Sequence, residues 1–333
     1  MSDAPADYSE RVAEEREAYR EQEVVHDLPP IQAYWGGRHL RPILERFGFS
    51  SGEEFISQRL VRAYRERPHG ATARFASIGA GNCDLEVRFA QELRAAGCED
   101  FTIDCLELND AMLERGAALA REAGVGAEVL PVETDLNDWR PSRTYDAIFA
   151  NQSLHHLVAL ERLFDSIAGA LGPGAPFATS DMIGRNGHQR WPEARAIVDE
   201  FWRELPHSFR FHTQLQRYEE PRFLDWDCSQ EGFEGIRSQD IVPLLLERFH
   251  FELFVGFGNV IDVFVDRGFG PHFHPDGEWD RDFIDRVHAR DVEGLQNGTL
   301  TPTHAIASMR TEPGPPPRVW GNLTPERAVR RPD

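Results

Sequence analysis

Gly79-Ala80-Gly81, followed by Asn82, sets two glycines one residue apart just after a short apolar run, Phe75 to Ile78. Glycine lets backbone approach a ligand closely, and the N–H groups that open the next helix face it. Such a turn suits a nucleotide-type ligand. Glu107 lies 26 positions beyond Gly81. An acid at the end of a second strand can accept hydrogen bonds from both hydroxyls of a ribose. One strand later, Asp135 can meet an adenine amino group, with Leu136 against the ring face; a turn or capping Asp fits the same place equally. A lone G-x-G is common wherever strands end, and a solvated carboxylate would explain Glu107 alone. Their joint spacing is what points to a bound nucleoside.

These residues need a scaffold that brings strand ends together. Phe75–Ile78, Phe101–Leu106, Ala127–Val132, Tyr145–Ala150 and Pro176–Ser180 read as strands. Helical patterns separate them, with Leu85, Phe89 and Leu93 at spacings of four, then Asp110–Glu122 with Asp110 as cap, then Leu160–Leu171 closed by Gly172-Pro173-Gly174. Strands alternating with helices predict an α/β fold with a doubly wound, mostly parallel sheet. Ligands then gather at the C-terminal strand ends, which carry Gly79, Glu107, Asp135, Asn151 and Asp181.

The flanks are less regular. Residues 7–26 suit a charged surface helix ended by Pro29-Pro30, and Tyr34, Trp35, Arg38 and His39 follow as an aromatic, basic cluster. That cluster reads either as a helix packing Trp35 on the core or as a lid. Beyond Asp181, Trp191–Leu205 and Ser238–Phe249 read as helices, Phe251–Phe257 as a sixth strand, Asp280–Leu295 as a charged helix and Thr303–Met309 as a last strand. Residues 206–236 receive no assignment. The domain scheme is an N-terminal helical cap (1–70), a central domain (71–310) with insertions near 182–237 and 266–300, and an extended or disordered tail (311–333).

The chain of 333 residues carries 36 Lys and Arg against 56 Asp and Glu, a net charge of −20, which argues against nucleic acid or an anionic membrane as partner. No apolar run approaches the ~18 residues of a membrane helix. The polar, acidic N-terminus does not read as a signal peptide. Cys83, Cys98, Cys105 and Cys228 form no C-x-x-C pair and read as reduced thiols of a cytoplasmic protein. A homodimer is one arrangement the sequence leaves open.

The order of motifs resembles the class I S-adenosylmethionine (SAM)-dependent methyltransferases over roughly residues 74–182. ASIGAGNCDLE is similar to their first motif, CLELND to their acidic second-strand end, and VETDLNDW to their adenine loop. The block from Tyr145 to Gly184, with its L-G-P-G turn before a strand, is similar to their fourth and fifth strands. The resemblance implies a seven-stranded sheet with helices on both faces, whose antiparallel strand Thr303–Met309 would supply. It implies SAM as cofactor, with Ser77, Gly79, Ala80, Gly81 and Asn82 along its methionine part. Glu107 and Leu108 would meet the ribose, Asp135 and Leu136 the adenine, and Asn151 and Gln152 the amino-acid end. Tyr34 and Arg38 would reach it from the N-terminal segment. Two positions depart from the family pattern: Ser77 stands where an acid is usual, and Cys83 where a third Gly is frequent. The N-terminal YWGGRHLRPIL and the long C-terminal region are also similar to bacterial members that tailor natural products or sugars.

A sulfonium methyl is already activated, so the protein need mainly align an acceptor and exclude water. A base is required only where the acceptor loses a proton. His155, His156 and Asp181 are the candidates; taken singly, each histidine reads first as a helix-start residue that packs or caps, and a cap or turn Asp explains Asp181 equally. His272-x-His274 with Asp276 has metal-like spacing but reads as polar surface, and no metal is expected. Trp191, Phe201, Trp202, Phe209 and Phe211 suit an acceptor pocket or a core; Arg185, Arg190, Arg210 and Arg217 suit an acidic acceptor or surface ion pairs. The expected activity is methyl transfer to an O or N atom of a small molecule. The alternatives are an NAD(P)-dependent dehydrogenase, which the Asp at position 84 of the glycine motif disfavours, and a SAM-binding scaffold without turnover.

Overall fold

Parallel strands buried on both faces read as continuous apolar runs, and β1 (Ala73–Ile78) is buried at every position but Arg74. It lies third from one edge of an eight-stranded sheet in a computed structural model that describes Tyr8, Arg16 and residues 28–67, 70–230 and 232–330. On one side of β1 lie β2 (Phe101–Glu107) and β3 (Val129–Glu133); on the other lie β4 (Ala147–Asn151) and β5 (Phe177–Met182), all parallel. The chain therefore reverses its winding direction between β1 and β4, and the crevice above their C-terminal ends is where such sheets bind ligands. Beyond β5, β9 (His304–Arg310) runs antiparallel to both β5 and β8 (His250–Phe257). The tail adds β10 (Arg318–Val319) to the sheet edge, parallel to β8, and buries Leu323 in the aromatic core of the insertions and Ala328 against the core under the sheet.

Helices α3 (Gly52–Glu66), α4 (Asp84–Ala95), α5 (Asp110–Glu122), α6 (Leu160–Ala170) and α8 (Ile241–Arg248) flank the sheet, preceded in the chain by α1 (Pro30–Trp35) and α2 (Arg41–Glu45), which a π-helical turn joins. Ser51 caps α3 by accepting from the Glu54 N–H, while the Glu54 carboxylate returns to Ser50, a reciprocal cap of the capping-box kind. In α5 the cap is Asn109, whose side chain accepts from the Ala111 N–H, and Asp110 opens the first turn.

The insertions hold α7 (Pro192–Trp202), a short hairpin of β6 (Phe211–His212) and β7 (Arg217–Tyr218), α9 (Asp262–Val265) and α10 (Glu278–Asn297). They form a separate aromatic core in which Trp202 packs on Phe223, Phe264 and Phe269. Trp202 is fully buried and Phe201 and Trp191 nearly so, which makes them packing residues. Ile31 and Trp35 of α1 join this core, and the Trp35 indole N–H donates to His288 of α10. The helix expected at 7–26 lies almost entirely outside the described residues. Among the described residues no helix is long and apolar enough to cross a membrane, and all four cysteines are free and buried.

Candidate active site

The turn after β1 is shaped by two left-handed glycines. Gly79 has φ +70°, and a Cβ there would lie 2.6 Å from the Ser153 Cβ. Gly81 has φ +54°. The Gly79 and Ala80 N–H groups donate to the Leu106 carbonyl at 2.9 and 3.1 Å, tying the turn to β2. Glu107 closes the same corner: its carboxylate accepts from the Gly81 N–H at 3.0 Å and from the Leu108 and Asn109 N–H groups at 2.8 and 3.0 Å. An ionised carboxylate offers about four acceptor positions, so it retains capacity for a hydroxyl.

Both departures in the glycine motif have a neighbour that answers them. The Ser77 hydroxyl donates to Glu86 of α4 at 2.6 Å, both residues being buried. Cys83 takes the left-handed conformation expected of a third glycine, at φ +55°. Its side chain fills the space left by Gly116 of α5, where an added Cβ would come within 2.7 Å of the Cys83 Sγ. Asn82 turns its side-chain oxygen to the Arg115 guanidinium at 2.9 Å.

Asp135 caps a 3-10 turn through the Asn137 N–H and also accepts from the Tyr8 hydroxyl at 2.8 Å. Leu136 is buried in the core beneath this turn. Asn151 ends β4 beside Ser180, and the exposed Gln152 follows at φ +53°. The strand-end residues thus converge on one edge of the sheet. Tyr34 and Arg38 are committed elsewhere: the Tyr34 hydroxyl and the Arg38 Nε donate to Asp285 of α10 at 3.0 and 3.1 Å.

Across the β1–β4 crevice stands a second constellation. Ser153, packed on Gly79, donates its hydroxyl to the Ile78 carbonyl at 2.6 Å, and the next turn carries His155 and His156. Asp181 is fully buried in the last turns of β5. It accepts from the Ser153, Leu154 and Met182 N–H groups and from the His155 Nδ1–H at 2.6 Å. The other face of His155 meets Glu234, with Nε2 3.4 Å from Oε1; His156 Nε2 lies 3.4 Å from Oε2. His188 Nε2 bonds to Glu234 at 2.6 Å.

Burial pulls the His155 imidazole down, but the charge and hydrogen bond of Asp181, joined by Glu234, outweigh it and hold it up at about 10. Burial pushes Glu234 up, yet the hydrogen bonds from His155 and His188 and the charges of His156 and His155 hold it far below the carboxylate range. Asp181 stays below its ordinary value, because His155 and two backbone N–H groups overcome its desolvation. Burial keeps His188 below its ordinary value.

Glu86, His188 and Glu234 were not among the residues singled out by sequence. The signal for the last two lay in their neighbours: Gly187-His188 and Glu234-Gly235 each join a glycine to a polar side chain. The spaced pair His272 and His274 forms no such cluster, since His272 donates to the Phe211 carbonyl at 2.6 Å. Arg190 is buried, its N–H on Asp225 and its guanidinium 3.8 Å from Asp262. Arg217 pairs with Glu219, and Arg185 lies over the Trp191 ring.

Residues 76–177 match the family described as methyltransferase domain. No curated protein matches the chain. Among solved structures it is similar to the geranyl diphosphate C-methyltransferase of Streptomyces coelicolor A3(2), in complex with Mg2+, geranyl diphosphate and S-adenosyl-L-homocysteine. That likeness has 11% identity, coverage of 94% of this chain and 100% of that one, and a TM-score of 0.47. It is also similar to an O-methyltransferase of a trans-AT polyketide synthase from Brevibacillus brevis, with 13% identity, 92% and 85% coverage and a TM-score of 0.44.

Proposed function

We propose, from the premise that residues 76–177 form a methyltransferase domain, that the chain transfers the methyl group of SAM to an oxygen or nitrogen of a small-molecule acceptor of the natural-product or sugar type. The observation that carries this reading is the corner made by Glu107 and the glycine turn, set at the switch point of the sheet. Glu107 accepts from the ribose hydroxyls, the backbone of Gly79 to Gly81 passes the methionine part, and Asp135 takes the adenine amino group. The Tyr8 hydroxyl on Asp135 is the contact that the adenine would meet or displace.

The reaction is an in-line displacement. The acceptor lone pair attacks the methyl carbon, the C–S bond breaks with its electrons going to sulfur, and S-adenosylhomocysteine leaves. Alignment and exclusion of water supply most of what the protein must do. Where the acceptor is a hydroxyl or an ammonium, its proton must also go. The His155 loop packs on the glycine turn through Ser153, and Asp181 orients His155; this supports a reading in which the loop faces the acceptor side of the cofactor. We assign the removal of that proton to His156, and to the His155–Asp181 pair, whose imidazole is held protonated, the placing of the loop. The net charge of −20 disfavours nucleic acid as acceptor.

Calorimetric titration with S-adenosylhomocysteine, with NADH as control, tests the reading. Binding of the first alone supports it; binding of NADH alone replaces it with a dehydrogenase. His155→Ala is expected to leave S-adenosylhomocysteine affinity within about twofold, because it touches the acceptor side.

A further inference from the structure

We propose that His155, His156 and Glu234 form a binding site for one divalent transition-metal ion, with Asp181 and His188 as the outer partners that orient the ligands. The three donors come from two parts of the chain, both histidines from the turn after β4 and Glu234 from the insertion, yet their ligand atoms lie within 4.8 Å of one another. Each histidine Nε2 is 3.4 Å from a Glu234 oxygen. Ligands about 2.0–2.1 Å from a tetrahedral ion are about 3.3–3.4 Å from each other. The two nitrogen–carboxylate spacings already suit ligands of one ion, and the ion would draw the remaining donors together from within 4.8 Å.

The outer contacts follow the pattern of a metal site. His155 gives its Nδ1–H to the buried carboxylate of Asp181, which fixes the ring and turns Nε2 toward Glu234, where an ion would replace the Nε2 proton. His188 bonds to Glu234 and holds the carboxylate in place. The backbone is contorted to achieve this. Gln152 and His188 are non-glycine residues at φ +53°, and Gly187 and Gly235 sit at φ +65° and +63°. The Gly187 N–H donates to the Gly235 carbonyl at 2.9 Å, and a Cβ on Gly235 would lie 3.1 Å from the His188 ring. Strain of this kind persists where surrounding structure enforces it, and it clusters at functional sites.

Two imidazoles and one carboxylate select zinc, iron(II) or a similar ion over magnesium, which prefers oxygen ligands. Three protein ligands leave a fourth position open. This last step rests on the methyl-transfer reading: an acceptor hydroxyl bound there would be acidified by the ion and would lose its proton to water before its oxygen takes the methyl group. His155 would then act as ligand, and the ion would do the work of a base.

Metal binding is tested without any acceptor. The full chain is stripped with a chelator and titrated with Zn2+, and Co2+ is added separately for its visible absorption. The expected result is one equivalent of zinc, a four-coordinate cobalt spectrum, and at least tenfold weaker zinc binding in Glu234→Gln and His155→Ala. Asp181→Asn is expected to weaken it about 10–100-fold, and His272→Ala to leave it unchanged. Absence of stoichiometric zinc binding by the unaltered chain overturns the proposal, and so does a six-coordinate cobalt spectrum or equal affinity in Glu234→Gln. Should the variants fail to fold, the cobalt spectrum and the rise in Tm of the unaltered chain with Zn2+ but not Mg2+ decide alone. S-adenosylhomocysteine binding without zinc binding sinks only the metal site; the reverse sinks only the methyl-transfer reading.

Discussion

The Ser77 hydroxyl and the Glu86 carboxylate meet at 2.6 Å between β1 and α4, inside the core. Ser77 stands where the resembled pattern has an acid, and it bonds here to an acid of the helix. Among the described residues the Glu86 Oε2 has no hydrogen-bond partner. Burial pushes the Glu86 carboxyl up to about 7, against the lowering effect of the Ser77 bond.

That shift has a definite sign in stability. Below pH about 4.5, the ordinary value, Glu86 is protonated in folded and unfolded chains alike. Between 4.5 and about 7 the unfolded chain releases the proton while the folded one keeps it. Stability contributed by this group therefore falls as pH rises through that window, and above 7 the loss is complete at about 3 kcal/mol. Glu86→Gln removes the slope. Urea unfolding near pH 5 and pH 8 is expected to show the variant gaining on the unaltered protein by about 2–3 kcal/mol between the two. An equal difference at both pH values would mean that Glu86 titrates as an ordinary carboxyl.

Cys83 and Gly116 make the second compensating pair. A Cβ on Gly116 would come within 2.7 Å of the Cys83 Sγ and 3.0 Å of the Asn82 carbonyl oxygen. Overpacking of this sort costs about 1–3 kcal/mol, so Gly116→Ala is expected to lower Tm by several degrees. Cys83→Gly clears the space and suits the left-handed backbone. The double variant is expected to recover more than half of the loss; additivity of the two changes in thermal melts would show that they do not share a cavity.

Glu107 is the strongest test of the cofactor corner. A hydrogen bond to a charged group is worth about 1.5–3 kcal/mol. Glu107→Ala should therefore weaken S-adenosylhomocysteine binding by more than about tenfold. Part of that loss reflects the freed Gly81 N–H. Glu107→Gln, which keeps one acceptor oxygen, is expected to fall between the two. Undiminished affinity in Glu107→Ala, measured by calorimetry, would remove the ribose assignment.

The parallel strands and the glycine turn were legible because their information is local: apolar runs, spacings of four and a G-x-G at a strand end. Glu107 was legible because its position is set by one strand and one turn. Glu86 was not, because its role depends on which face of α4 meets Ser77, and a Glu in a first helical turn reads as ordinary dipole compensation. Glu234 was hidden for a different reason. It lies in a stretch without periodicity, 79 positions from His155, and only the closed fold brings the two together. The tail reads as extended or disordered in sequence because Pro313 and Pro315 to Pro317 break any pattern, while its docking rests on scattered single residues such as Val319, Leu323 and Ala328 and on the Arg330–Glu193 ion pair.

Asp285 gathers the side chains that the family resemblance would send to the cofactor. It accepts from the Tyr34 hydroxyl, the Arg38 Nε and the His39 Nε2, the last at 2.6 Å, and so fastens α1 and the π-helical turn to α10. Burial acts to raise its carboxyl, but the bonds from His39 and Tyr34 keep it below its ordinary value. Asp285→Ala leaves three donors without this acceptor and is expected to cost about 1–3 kcal/mol. The loss should be local: hydrogen exchange would quicken over residues 30–40 while β1 and β2 stay protected. Unchanged exchange at 30–40 would show that Ile31 and Trp35, buried in the aromatic core, hold the segment without the polar bonds. A parallel fall in S-adenosylhomocysteine affinity would mean that Tyr34 and Arg38 serve the cofactor through the placement Asp285 gives them; full affinity would confine them to fastening the cap.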